Sequence, residues 1–280
     1  MLSSNIIDRK VISLNETQSK MIASGWGEEA LNNSVVEKIT YLSDGLKVKG
    51  FIAYPKNQTK KYPCVIWNRG GAGNRGAIDA FTARGIYGQL ASWGYVVFAS
   101  QYRGNAGGEG KEEFGGKDVN DILNLIPLAE EIPNADKNKW GIEGWSRGGM
   151  MAYIALTKTK IFRCAILVGA ISNLEQNPVI TPDMRKFYVD QIGEDNFETE
   201  LKNRSAINFA DQLPNIPYLL LHGGNDEIIS PDQSVEMSNK LTELKIYHKL
   251  TILENGDHYL KKQKKEVDSL RKMWFDKYLV

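Results

Sequence analysis

Lys139-Trp140-Gly141-Ile142-Glu143-Gly144-Trp145-Ser146-Arg147-Gly148-Gly149-Met150-Met151-Ala152-Tyr153-Ile154-Ala155-Leu156 is the stretch whose reading decides the fold. Residues 139–143 read as a short strand and 150–156 as the start of a helix. Between them Gly144-Trp145-Ser146-Arg147-Gly148-Gly149 forms a G-x-S-x-G pattern. A serine at so sharp a strand-to-helix turn is held in a strained backbone conformation with its hydroxyl exposed. Glycines two residues to either side let strand and helix approach, because a side chain there would clash. The helix beginning after the serine supplies a backbone N–H and a positive dipole end for a developing oxyanion. The pattern alone is weak, since the same glycines could serve a tight turn in another α/β protein. Its flanks and its partners elsewhere in the chain have to decide.

Upstream, residues 35–41 alternate, Asp44-Gly45 is a hairpin turn signal, and residues 46–55 return as a second strand. Tyr62-Pro63-Cys64-Val65-Ile66-Trp67-Asn68 is a nearly continuous apolar run, which suits a strand buried on both faces of a parallel sheet. It ends in Arg69-Gly70-Gly71-Ala72-Gly73-Asn74. A helix over 81–93, a buried strand over 95–100, a loop over 101–108 and a helix over 118–131 then lead to the serine strand. Downstream, strands are expected over 162–170, 216–222 and 245–253, with a helix over 231–244. The last helix, 259–279, repeats Val267, Leu270, Trp274 and Tyr278 at helical spacing. The alternation predicts an α/β fold: a mostly parallel central sheet with helices on both faces and an antiparallel hairpin at its N-terminal edge. Residues 172–213 break the alternation with Pro178, Pro182 and a helix near 182–192, and read as a small cap insertion over the strand ends. Residues 1–34 are polar and irregular, with a short helix around 16–24, and read as an N-terminal extension to a domain spanning 35–280.

Composition narrows the functional classes. Apolar content of 42% and charged content of 25% are those of a globular protein, and 280 residues allow one large α/β domain or two small ones. A net charge of +1 gives no reason to expect a nucleic-acid or anionic-membrane partner. The two cysteines, Cys64 and Cys164, each lie in an apolar strand-like run and read as reduced core residues of a cytoplasmic chain. Two cysteines and three histidines show no zinc spacing, so neither a metal nor a cofactor is expected. The first ten residues lack an apolar signal core, and no stretch reaches the length of a membrane span.

A serine nucleophile needs a base, and the base an orienting carboxylate, in the chain order serine, acid, histidine for this fold class. Of the three histidines, His258 lies in a turn after the last strand, where a loop residue can reach across the sheet top. His222 ends the apolar run Tyr218-Leu219-Leu220-Leu221 and is the runner-up; His248 lies within a strand and reads as structural. Asp226, in Gly223-Gly224-Asn225-Asp226, directly follows an earlier strand and is the best acid, with its neighbour Glu227 the main competitor. Asp232 better suits the start of the next helix, and Asp257 adjoins His258 too closely in sequence to accept its ring N–H. For the oxyanion, one donor is the backbone N–H of Arg147 and the other comes from the turn Gly70-Gly71. That glycine turn also serves as a tight strand-to-helix connection.

With these residues placed, the chain resembles the α/β-hydrolase superfamily, and specifically the catalytic domain of prolyl-oligopeptidase-like serine hydrolases. Trp140-Gly141-Ile142-Glu143-Gly144-Trp145-Ser146-Arg147-Gly148-Gly149 looks like that group's G-W-S-x-G-G elbow. Tyr102-Arg103-Gly104 with Gly107-Gly108 is similar to its Y-R-G segment, and His222-Gly223-Gly224-Asn225-Asp226 to its H-G-x-x-D acid turn. The match runs in order over roughly residues 35–280. Two positions depart from the pattern: the family's H-G-G-P is Arg69-Gly70-Gly71-Ala72, and Arg147 stands where the peptidases often carry an aromatic residue. With only about 60 residues before the first parallel strand, the oligopeptidases' N-terminal propeller is not expected.

The resemblance implies a stand-alone serine hydrolase acting through an acyl-enzyme on Ser146. The substrate expected from sequence is a small ester or amide, with short-chain esters favoured because an amine leaving group must also be protonated. A peptidase of the same group is the alternative, on short peptides. A non-catalytic binding protein of this fold is the third reading, but such a relative would usually lack a triad member and this chain keeps all three.

Overall fold

Tyr62-Pro63-Cys64-Val65-Ile66-Trp67-Asn68 is buried at all seven positions, the burial its unbroken apolar run demands. The structure, a computed structural model, describes residues 5–175 and 182–280. The chain divides into two compact units, the first made of residues 1–69, 73–112 and 120–140, the second of 70–72, 113–119 and 141–280.

In the first unit the elements run β1 Ile6–Val11, α1 Glu16–Trp26, α2 Glu28–Asn32, β2 Ser34–Ser43, β3 Leu46–Pro55, β4 Tyr62–Asn68, α3 Ala80–Ser92, β5 Val96–Ser100 and α4 Asn120–Leu123. Strand β6, Ala135–Trp145, starts here and ends in the second unit. The strand order is β1-β2-β3-β5-β4. The expected hairpin is β2–β3, paired from Ser43↔Leu46 to Ser34↔Pro55, with Asp44 and Gly45 both at positive φ in its turn. Strands β3 and β5 are antiparallel, β4 and β5 parallel.

The hairpin is not the outermost pair, because β1 adds to β2 in antiparallel register. Only Ile6 of β1 is buried, so Ile-Ile-Asp-Arg-Lys-Val carries no alternation by which sequence could announce a strand. Nor do residues 5–34 stand apart from the unit. Helix α1 carries a capping box of Asn15 and Gln18. Trp26 lies over Gly85 of α3, where a Cβ would meet the indole at 2.5 Å. Arg84 of α3, itself buried, reaches the Leu31 carbonyl at 2.9 Å, the Ser34 hydroxyl at 2.8 Å and the Ala30 carbonyl.

The second unit holds the end of β6, then α5 Arg147–Lys158, β7 Phe162–Val168, α6 Pro182–Ile192, α7 Phe197–Arg204, β8 Tyr218–Gly223, α8 Asp232–Glu243, β9 His248–Leu253 and α9 Lys264–Leu279. Its strands follow in order β6-β7-β8-β9, and β7–β8 and β8–β9 are parallel. Helix α5 is buried from Arg147 to Leu156, as its nearly all-apolar sequence requires. Within the stretch read as a cap, residues 172–175 and 182–213 are described and Pro178 lies outside the described residues. Cys64 and Cys164 are buried and unbridged, and burial pushes both thiols up.

Three elements differ from the sequence reading. The helix expected over 118–131 is instead a 3-10 turn Lys117–Val119, the short α4, and a 3-10 turn Ile126–Glu131. Pro127 lacks an N–H and disfavours the helical conformation of the residue before it. Helix α9 starts at Lys264 rather than 259, because Leu260 has φ +51° and the Asp257 carboxylate takes the N–H groups of Tyr259 and Leu260. Strand β9 starts at His248, after Lys245 turns the chain at φ +57°.

Arg84→Met should lower unfolding stability by roughly 1–3 kcal/mol, since it strands buried acceptors on Ala30, Leu31 and Ser34. Lys20→Ala, which removes the solvent-exposed Glu16 pair, should leave it unchanged. Denaturant midpoints of the two variants, with unchanged slopes, check this.

Candidate active site

Ser146 joins β6 to α5 with φ +54° and ψ −123°, a conformation that costs an L-residue of order 1–3 kcal/mol. Neighbouring backbone holds it there. The Ser146 N–H donates to the Val168 carbonyl at 2.8 Å, and the Ser146 carbonyl accepts from Gly149 at 2.9 Å and Ile171 at 3.3 Å. The glycines of the elbow answer to close approach. A Cβ on Gly144 would sit 2.2 Å from the Gly148 carbonyl oxygen, and one on Gly149 2.3 Å from the Ala170 Cβ. Ser146 is half-buried.

Gly70 lies against the serine: a Cβ there would stand 3.0 Å from the Trp145 carbonyl oxygen and 3.1 Å from the Ser146 Cβ. Gly71, at φ +69°, turns its carbonyl to the Arg147 guanidinium, which donates to it at 3.0 Å. The same guanidinium donates to Asp118 Oδ2 at 2.8 Å and lies 4.4 Å over the Phe114 ring. Arg147 and Asp118 are buried, and Asp118 also accepts the Gly115 N–H at 2.9 Å. The Arg147 side chain therefore ties the Gly70-Gly71 turn to the start of α5. Sequence reasoning valued Arg147 only for its backbone N–H and placed Asp118 on a helix. The sole sequence signal for this pairing was an arginine where an aromatic residue is usual. Arg69, the other departure, is buried as well: it donates to the Gln101 carbonyl at 2.8 Å and stacks 4.8 Å over Tyr102.

Asp226 and His258 come together from separate loops. The turn after β8 and the loop after β9 are stitched by Gly224 N–H to Leu253 carbonyl at 2.8 Å and Asn225 N–H to Gly256 carbonyl at 2.9 Å. His258 Nδ1 then donates to Asp226 Oδ2 at 2.7 Å, which leaves Nε2 as the ring nitrogen outside that bond. Gly169, at φ +51°, follows the Val168 that holds Ser146, and its position for a Cβ is 3.5 Å from Asp226 Oδ2 and 3.6 Å from the His258 ring. Among the described residues the Ser146 hydroxyl makes no hydrogen bond; catalytic hydrogen bonds are often long before substrate binds.

The other candidates are placed differently. Glu227 points to solvent, and Asp257 is spent on the N–H groups of Tyr259 and Leu260. Asp232 is the first residue of α8 and is exposed. His248 Nε2 is 2.8 Å from Ser238 Oγ. His222 is fully buried, with Nδ1 2.7 Å from Ser234 Oγ and Nε2 2.9 Å from the Ile229 carbonyl, so neither ring nitrogen faces solvent.

Burial opposes ionisation of Asp226, but hydrogen bonds from His222 and His258 and from the Ile229 N–H outweigh it and hold the carboxyl well below the usual carboxylate range. Among the described residues no group of acidic, histidine or cysteine side chains could hold a metal ion, and no helix is long and apolar enough to cross a membrane.

A family model described as the prolyl oligopeptidase family matches residues 85–279. The uncharacterized peptidase YtmA of Bacillus subtilis is 34% identical over 209 residues, covering 74% of this chain and 79% of YtmA. The uncharacterized peptidase YuxL of the same organism is 27% identical over 88% of this chain, which spans 39% of YuxL. Among solved structures, the acylaminoacyl peptidase of Pyrococcus horikoshii superposes with a TM-score of 0.76 at 24% identity, over 89% of this chain and 42% of that one. That likeness establishes the α/β-hydrolase fold.

The lowered Asp226 pKa has a stability consequence. Its contribution is present above the ordinary carboxylate pKa of about 3.9 and is lost as pH falls below it. The gap in unfolding free energy between the wild type and Asp226→Asn should therefore be widest near neutral pH and shrink from about pH 5 to pH 2. Chemical denaturation of both proteins across that range checks it.

Proposed function

The chain belongs to the prolyl oligopeptidase family of serine peptidases, and from that membership we propose that it cleaves short peptides through an acyl-enzyme on Ser146. The observation that carries the reading is the Asp226 Oδ2–His258 Nδ1 hydrogen bond at 2.7 Å. It fixes the His258 tautomer whose Nε2 can accept a proton, in the unit that also holds the strained Ser146.

In the proposed mechanism His258 Nε2 takes the Ser146 hydroxyl proton as Oγ attacks the scissile carbonyl carbon. The carbonyl oxygen becomes an oxyanion, met by the backbone N–H of Arg147 and one from the Gly70-Gly71 turn. Collapse of the tetrahedral species breaks the C–N bond, and His258 gives its proton to the leaving amine. Water, deprotonated by the same imidazole, then attacks the acyl carbon; the C–Oγ bond breaks, the imidazolium returns its proton to Ser146 Oγ, and the acyl group leaves as the carboxylic acid. Asp226 stays ionised throughout and stabilises the imidazolium formed at each step. Its depressed pKa suits that role.

Sequence alone favoured a small ester. The similarity to named peptidases favours the amide. We take the described residues 172–175 and 182–213 as the small cap expected from sequence.

Ser146→Ala should abolish labelling by a fluorophosphonate and lower kcat by on the order of 10⁴–10⁶. His258→Ala should match it, because the two act as a unit and their effects do not add. Labelling that survives in Ser146→Ala would sink the assignment.

The substrate class is checked by kcat/KM on aminoacyl anilides, N-acyl dipeptides, a decapeptide, and acetyl and butyryl aryl esters. The anilides and short acylated peptides should be cleaved and the decapeptide poorly. Turnover of the esters alone would return the esterase reading.

A further inference from the structure

We propose that His222 is a positioning residue for the Asp226–His258 pair, a buried Nε2–H donor that fixes the acid and moderates its pull on the base. The inference rests on the serine-hydrolase reading above and extends it to a residue that never meets substrate.

The tautomer follows from the partners. The Ile229 carbonyl, 2.9 Å from Nε2, can only accept, so Nε2 carries the proton. Nδ1 is left to accept from the Ser234 hydroxyl at 2.7 Å. The Nε2–H also faces Asp226 Oδ2 at 3.2 Å, the same oxygen that His258 Nδ1 reaches at 2.7 Å. The other carboxylate oxygen, Oδ1, accepts the N–H groups of Ile228 and Ile229, each at 2.9 Å. Four donors thus saturate the carboxylate, two per oxygen.

The arrangement closes on itself through Ile229. Its N–H binds Asp226 and its carbonyl binds His222, so one imidazole holds both the carboxylate and the turn that carries it. Ser234, on α8, donates to the nitrogen that the Ile229 carbonyl leaves unprotonated. His222 and Asp226 have no exposed side-chain surface, so water cannot replace the donor.

The electrostatic direction is set by the shared oxygen. A second donor on Oδ2 stabilises the carboxylate charge and weakens its attraction for the His258 ring proton. Removing that donor raises the basicity of His258. Among the described residues, titratable groups in contact with the pair include His222 from β8, beside Asp226, and Tyr259, whose ring meets His258 edge-on at 5.6 Å. Ser234 and the Gly169 backbone supply only dipoles.

The test compares His222→Gln, whose amide nitrogen can reach the Nε2 position, with His222→Asn, whose amide reaches only the Nδ1 position. Each is measured as kcat per site titrated with fluorophosphonate, and as the acid limb of kcat/KM against pH, below its own unfolding temperature. His222→Gln should keep both near wild type. His222→Asn should lose about tenfold in kcat, with the acid limb moved up by about half a pH unit or more. A merely structural histidine would lower the melting temperature without separating the two variants or moving the limb. Coincidence of the two in both readouts overturns the proposal. If His222→Asn does not fold, His222→Met, of glutamine's length but with no N–H to offer, takes its place: an unmoved limb overturns the proposal while an upward shift supports it. Turnover that survives in Ser146→Ala or His258→Ala would instead mark failure of the underlying reading, before any His222 variant is compared.

Discussion

The approach of β6 to α5 is the constraint on which the second unit depends. With no side chain at Gly144, the strand end passes within 2.2 Å, measured from a would-be Cβ, of the Gly148 carbonyl. That closeness leaves Ser146 only a positive φ, and the residue keeps it because three backbone hydrogen bonds, to Val168, Gly149 and Ile171, oppose relaxation. Val168 is followed by Gly169, whose backbone lies against both Asp226 and His258. The residue that holds the serine and the residue that borders Asp226 and His258 are therefore consecutive at one strand end.

Buried charge organises the rest of the site. Arg147 is desolvated by the packing of α5, and it is matched by the Asp118 carboxylate, the Gly71 carbonyl and the Phe114 face. A buried guanidinium left without such partners would be costly, so the segments carrying them cannot drift from the elbow. This explains why residues 70–72 and 113–119 cluster with the second unit although their sequence neighbours belong to the first. Asp226 follows the same rule with opposite sign: four donors hold a carboxylate that burial alone would neutralise.

Much of this was legible in the sequence. The nearly continuous apolar runs of β4, β5, β7 and β8, the Asp44-Gly45 turn and the elbow pattern give strand, turn and helix with the right order and nearly the right bounds. Local signals sufficed because each depends on residues adjacent in the chain. Where they failed, a distant partner or a single backbone angle had decided. Strand β1 forms because β2 offers it an edge, and Leu260 at φ +51° delays α9 in a sequence that looks helical from residue 259.

The sequence by itself determined which residues could assemble the candidate site: a serine between glycines at a strand-to-helix turn, an aspartate after one strand and a histidine after the next, in that order. Only the tertiary structure decided how those groups are held. It separated His258, half-buried beside Asp226, from His222, sealed beneath the same carboxylate, although both follow strands and both looked competent as bases. It also turned Arg147 from a backbone donor into a clamp on Gly71 and Asp118. The reason is physical. Residue type and spacing fix which chemistry a side chain can perform, but solvent exposure and the partners of each nitrogen and oxygen depend on residues far apart in the chain, brought together only when it folds.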